Sequence, residues 1–205
     1  MKNKRKNRKP DDPILVYRQL NQHMTQLSEL VSKLSKVQGC YLDRIFNQIW
    51  PVLNDTIPKV QFAALIGVDN NTSHIKVYET TNKTSFLNSR LNDNSYEIVE
   101  VLNLISEKGQ MFWNFRPEAP NFFNESAGQR ACTVSFLTQL PNDEKLFILM
   151  ATPASKKKHL LNEYFIDYEI NTIQLMSKII GWYISHTFNY EVNQYLMAER
   201  FENIS

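Results

Sequence analysis

The sequence predicts an α+β fold, and three observations predict it. Apolar residues recur at helical spacing in two long runs near the ends of the chain, around 16–37 and 166–196. Between them lie short segments that alternate or are apolar throughout, separated by turn chemistry of the kind that joins antiparallel strands. Only one further helical pattern interrupts those segments, so they lack the regular crossovers of a parallel sheet.

Composition is consistent with one domain and extra helices: 205 residues, of which 42% are hydrophobic, including 12 Phe, 9 Tyr and 3 Trp. Five glycines are too few for phosphate-cradling loops or propeller blades. The net charge of +2 hides an asymmetry. Lys2, Lys4, Arg5, Lys6, Arg8 and Lys9 crowd the first ten residues, which hold no acid. Without those six, 17 of the 23 basic residues face 21 acidic ones, so the remainder carries about −4. Residues 1–12 therefore read as a basic arm on a mildly acidic body. Its plainest reading is a solvated tail; docking onto nucleic acid would call for a basic surface on the folded part as well.

No apolar run is long enough to span a bilayer, and no apolar stretch backs the charged start as in a signal peptide. Two cysteines, Cys40 and Cys132, are too few for a disulfide framework. The expectation is a cytoplasmic protein without a membrane partner.

The elements follow in order. DDPIL at 11–15 offers acids and a proline at a helix start. Leu20, Leu27 and Leu34 share one register and Val16, His23, Leu30 and Val37 another, about three heptads ended by Gly39. This helix is placed at 13–38. A second follows in CYLDRIFNQIWPVLNDTI, where Pro51 predicts a kink or an early stop. VQFAALIGV alternates along a strand whose second parity, Ala63 and Leu65, is also apolar. DNNTS turns the chain, and HIKVYET returns as a strand. Residues 81–94 read as loop. NSYEIVEVLNLISEKG is a helix that Ser95 can cap and Gly109 closes. MFWNF is a short strand, and RPEAPNFFNESAGQ is irregular. ACTVSFLTQL and KLFILMAT form a hairpin across PNDE. The last helix opens with Asp167 and Glu169, as the helix dipole favours, and is longer than one small sheet can cover.

Residues 40–200 resemble a GAF domain. CYLDRIFNQIWPVLNDTIPKVQFAALIGVDNNTSHIKVYET resembles the family's opening helix and first hairpin. EIVEVLNLISEKGQMFWNF is similar to the helix, turn and short strand before the ligand loop, and ACTVSFLTQLPNDEKLFILMAT to the late central hairpin. FIDYEINTIQLMSKIIGWYISHTF resembles the closing helix. The resemblance implies an antiparallel sheet with helices on one face, long N- and C-terminal helices, and a pocket or a collapsed core on the other face. It also implies that LFILMA is a central strand covered on both sides. A sheet with one wet face would expose alternate large side chains, each worth about 1.5–3 kcal/mol when buried. The hairpin lacks the proline and glycine that the family often carries there.

Motifs for catalysis are missing: there is no HExxH, CxxC, GxSxG or P-loop pattern, and the four histidines are scattered. GAF-like methionine sulfoxide reductases use a cysteine cluster, and Cys132 reads instead as a small buried hydrophobe. Cys132 lies within the hairpin and has no histidine beside it, unlike a bilin-attachment cysteine. Asn82-Lys83 and Phe86 mimic the start of a cyclic-nucleotide pattern, but no Asp-Glu pair follows at a usable distance. Neither a catalytic set, a metal site nor a cofactor is expected. If a ligand pocket exists, the resemblance points to Trp113, Arg116, Arg130, Thr133 and Ser135: an aromatic wall, two cations for an anionic ligand, and two hydroxyls. The competing reading makes Trp113 core and the hydroxyls the polar parity of an exposed strand. The two helical stripes suggest a homodimer through Leu20, Leu27, Leu30, Leu34, Ile180 and Ile184. The expected function is a non-enzymatic sensory or regulatory module that binds a small ligand or a partner protein. The alternative is an adaptor with a filled pocket, whose basic arm docks an acidic partner such as nucleic acid.

Overall fold

The computed structural model describes residues 13–37, 39, 41–81, 96–113, 131–153 and 165–202. The basic arm and almost all of the predicted 81–94 loop lie outside the described residues, as does the RPEAPNFFNESAGQ segment. Among the described residues nine elements follow one another in the predicted order: α1 (Pro13–Leu34), α2 (Leu42–Thr56), β1 (Phe62–Asp69), β2 (Ile75–Thr80), α3 (Tyr96–Lys108), β3 (Gln110–Trp113), β4 (Cys132–Gln139), β5 (Glu144–Ala151) and α4 (Asp167–Glu202).

The strands form one antiparallel sheet in the order β2-β1-β5-β4-β3, with β5 at its centre. Every residue from Leu146 to Ala151 is buried, because each face of the strand meets a separate apolar layer. Leu146, Ile148 and Met150 join Ala63 and Leu65 of β1 beneath α1, α2 and α4. Phe147, Leu149 and Ala151 join Phe62, Ala64, Ile66 and Val68 on the side covered by α3. The continuous apolar run is thus the signature of a strand with no wet side.

Each helix turns its stripe to the sheet. Leu42, Ile45, Phe46, Ile49, Val52 and Leu53 of α2 are buried. Of the two predicted outcomes at Pro51, a kink or an early stop, the stop does not occur. The proline ring lies on the exposed side, and the last turn is completed by the Thr56 hydroxyl donating to Val52 O (2.6 Å) and Ile57 N–H to Leu53 O (3.0 Å). Ile98, Val99, Leu102 and Ile105 bury the inner side of α3, which ends at Gly109 in the left-handed region (φ +85°). Ile173, Met176, Ile180 and Ile184 carry α4 across the sheet. The Tyr183 hydroxyl donates to Val37 O (3.1 Å), tying α4 to the end of α1. Beyond Phe188, residues 189–195 of α4 are all exposed.

One irregularity sets how α4 sits. The pairing of β4 with β5 slips between Phe136 and Thr138, leaving Leu137 as an extra residue. Its backbone swells toward α4 at Gly181. A Cβ on Gly181 would lie 2.6 Å from Leu137 C and 3.1 Å from its Cα, and closer still to its carbonyl oxygen. The glycine is what allows helix and strand to touch backbone to backbone.

Candidate functional site

The sheet separates the residues predicted to share a pocket. In β4 the side chains alternate, so Cys132 and Val134 enter the layer under α3, whereas Thr133 and Ser135 face the opposite layer, under α4. Trp113, paired with Cys132 across β3 and β4, lies with the α3 layer and is buried. The aromatic wall and the two hydroxyls therefore stand on opposite faces and do not converge. Arg116 and Arg130 lie outside the described residues. The hydroxyls do not mark an exposed parity either: Thr133 and Ser135 are both fully buried.

Thr133 is satisfied where it lies. It donates to Met111 O (3.0 Å) and accepts from Gln110 Nε2 (3.0 Å), which fastens the short edge strand β3. Ser135 is not: its Oγ is buried and no donor or acceptor among the described residues reaches it. A hydroxyl left in that state costs roughly 1–3 kcal/mol.

The face under α3 is packed with side chains. Phe136 and Phe147 meet at 5.6 Å between ring centroids, tilted by 59°, and Leu149, Val134 and Leu102 are buried around them. Cys132 faces this layer, and burial pushes its thiol up to about 12. It is a protonated, enclosed thiol at neutral pH, the opposite of an activated nucleophile. Among the described residues no cluster of His, Cys, Asp and Glu could hold a metal ion, and no helix is long and apolar enough to cross a membrane.

The helical stripes also take a different role. Leu30, Leu34, Ile180 and Ile184, expected to face a second subunit, are buried inside the chain's own core, and Leu27 packs against it. A side chain enclosed in this way cannot line a surface for another copy; the side chain of Leu20 lies outside the description. What α1 and α4 leave exposed is a different set: Met24, Val31, Leu175, Trp182, Tyr190, Val192 and Tyr195. Trp182 stacks on His186 at 5.4 Å and 7° and is 67% exposed.

Sequence reasoning passed over a polar pair on the helical side of the sheet. The Tyr78 hydroxyl donates to the Glu144 carboxylate at 2.7 Å. Burial first, then the hydrogen bond to Glu144 and its charge, push the phenol well above its ordinary range. The two residues are 66 positions apart, and only the β2-β1-β5 register unites them. Gly67 on β1 lies between them; a Cβ there would come within 2.9 Å of Tyr78 Cε2 and of the Glu144 carboxyl carbon.

No family model matches the sequence, and no curated protein matches it. Solved structures do match the fold. The GAF domain of a phosphoenolpyruvate-protein phosphotransferase from Coxiella burnetii aligns with a TM-score of 0.57 at 10% identity, covering 85% of this chain and 98% of that one. A far-red absorbing dark-state protein with bound biliverdin IXa aligns at 0.51 and 10% identity, over 79% of this chain and 98% of that one. The free methionine-R-sulfoxide reductase of Neisseria meningitidis, in complex with its substrate, aligns at 0.51 and 11% identity, over 79% and 87%. This chain has the GAF fold, an architecture shared by a domain of a phosphotransferase, a protein with bound biliverdin and a methionine sulfoxide reductase.

Proposed function

We propose that this chain is a non-catalytic regulatory module of GAF fold that pairs with a second copy of itself through the outer faces of α1 and α4. The supporting observation is the set of large apolar side chains that the folded chain leaves in water: Met24 and Val31 on α1, Leu175, Trp182, Tyr190, Val192 and Tyr195 on α4. Solitary exposed apolar residues are ordinary, but a set of seven on two helices that are tied together is suited to burial against another copy. Cys132 supports the non-catalytic part of the reading, since its thiol is enclosed and protonated.

A small ligand, in this reading, meets the α3 side of the sheet next to Trp113, where the sequence offers Arg116 and Arg130 for an anionic group. The alternative, an adaptor whose pocket is permanently filled, is favoured by the Phe136–Phe147 packing on that same face. Native mass spectrometry of protein purified from its host separates the two by showing a retained small molecule or none. Sedimentation velocity tests the pairing. The wild-type chain should run as a dimer at micromolar concentration, and Trp182→Glu with Tyr195→Glu should run as a folded monomer. A wild-type monomer, or a double variant that stays dimeric, would remove the proposal.

A further inference from the structure

We infer that the second copy lies antiparallel along α4, with the two-fold axis passing between Tyr183 and Ile184 and with Trp182 of each chain seated against the partner's Ser185. The inference rests on the pairing proposed above and names its geometry. Helix α4 carries two stripes. Ile173, Met176, Ile180 and Ile184 face the sheet and are buried. The opposite side carries Leu175, Lys178, Trp182, Ser185, Asn189 and Val192, spaced by three and four residues in alternation. That is the a/d spacing of a helix that packs along another helix. Ser185 is half-buried and the other five are exposed, so the folded chain does not itself cover this stripe. From Leu175 to Val192 it is about 26 Å long, at the rise of an α-helix.

Charge and size fix the orientation. In a parallel two-fold pair each residue meets its own copy, so two Lys178 ammonium groups would be stacked between the Leu175 and Trp182 layers, where like charges repel. Turning one helix end for end sets Leu175 against the partner's Val192, Lys178 against the partner's Asn189, and Trp182 against the partner's Ser185. Apolar then meets apolar, the cation meets an amide whose carbonyl can accept from it, and the largest side chain of the stripe meets the smallest. The helix dipoles are opposed as well. Trp182 is held ready as the anchor, because its indole already lies flat on His186, the ring planes 7° apart, and loses little freedom on being covered. The end of α4 argues for the same occupant. Residues 189–195 are all exposed, and a helical segment of that length is marginal without something to pack on. In the antiparallel pair each such segment lies along residues 172–178 of the partner helix.

Disulfide trapping in the full chain, with Cys40→Ser and Cys132→Ala throughout, tests the orientation. Lys178→Cys is made in one chain and Asn189→Cys in another, and one of the two is tagged so that the linked pairs separate on a non-reducing gel. Mixed and oxidised, they should give chiefly the mixed pair, and each alone should link poorly. In the antiparallel pair the two Lys178→Cys sites stand apart along the axis by the rise from 178 to 189, about 16 Å, which no disulfide spans. Self-linked pairs in place of the mixed one would make the dimer parallel and overturn the inference while leaving the pairing intact. A single charge gives an independent reading. Asn189→Asp sets a carboxylate against the partner's Lys178 in the antiparallel pair, but against its own copy in a parallel one. The dimer dissociation constant from sedimentation should fall about fivefold, and the gain should vanish when Lys178→Gln is added. An equal or larger constant for Asn189→Asp would overturn the inference. A wild-type chain that sediments as a monomer and forms no linked pair would remove the orientation together with the pairing on which it rests.

Discussion

Replacing Gly181 with alanine sets two effects of opposite sign against each other. In an unconstrained helix interior, alanine is better than glycine by about 1 kcal/mol, so the change should stabilise. At Gly181 the new methyl would stand 2.6 Å from the Leu137 carbonyl carbon, where ordinary carbon contacts are about 3.5–4.0 Å. The obstruction is backbone at a point where β4 has already swollen outward, so no rotamer change relieves it. Helix α4 must back away by about 1 Å, and a gap of that size forfeits a quarter to a half of each contact. Four fully buried side chains ride on this interface: Ile173, Met176, Ile180 and Ile184. At about 1.5–3 kcal/mol each, the loss amounts to about 1.5–6 kcal/mol, which exceeds the propensity gain. Urea unfolding followed by circular dichroism should show a lower midpoint for Gly181→Ala with the slope unchanged. Asn189→Ala, at an exposed position on the same helix, should leave the midpoint equal or slightly raised. If Gly181→Ala is as stable as wild type, the backbone contact is not what positions α4.

Two further expectations use the same kind of measurement. Ser135→Ala removes a buried hydroxyl that has no partner, so the variant should gain roughly 1 kcal/mol in urea unfolding; a loss of stability would show that the hydroxyl is satisfied after all. Cys132 should resist alkylation in the folded chain at pH 8 and react once the chain is unfolded in urea. Because its folded-state thiol is raised, the unfolded chain releases this proton first. The stabilisation from this group is therefore complete below about 9, the ordinary value, and declines as pH rises toward about 12. The stability–pH curve of Cys132→Ala should lack that part of the decline, and rapid alkylation of the native thiol would contradict the burial.

The central sheet was legible because β1 and β5 are apolar on both parities, and only a strand with two covered faces tolerates that. The helices were legible from spacing, but their partners were not. Leu30, Leu34, Ile180 and Ile184 repeat as a dimer seam would, yet the same stripe serves equally well to seat a helix in its own chain's core, and here it does. Thr133 and Ser135 were misplaced for a related reason. Alternation says that neighbours point apart, not which side receives α4. Pro51 was read as a kink or an early stop because its outward orientation depends on how α2 rolls onto β1 and β2. The closeness of Tyr78 to Glu144, and of Gly181 to Leu137, arises from strand register and from one extra residue in β4. Neither leaves a mark in local composition.

The span of α4 has a mechanical consequence. The helix is held over the sheet through Ile184 and then continues to Glu202 without a break. Glu202 stands 21 positions past Gly181, about 32 Å along the axis. A tilt of about 5° at that pivot would sweep the tip through roughly 3 Å, by the geometry of a rigid rod of that length. A disturbance too small to repack the sheet would thus arrive at the far end as a lever stroke the width of an atom.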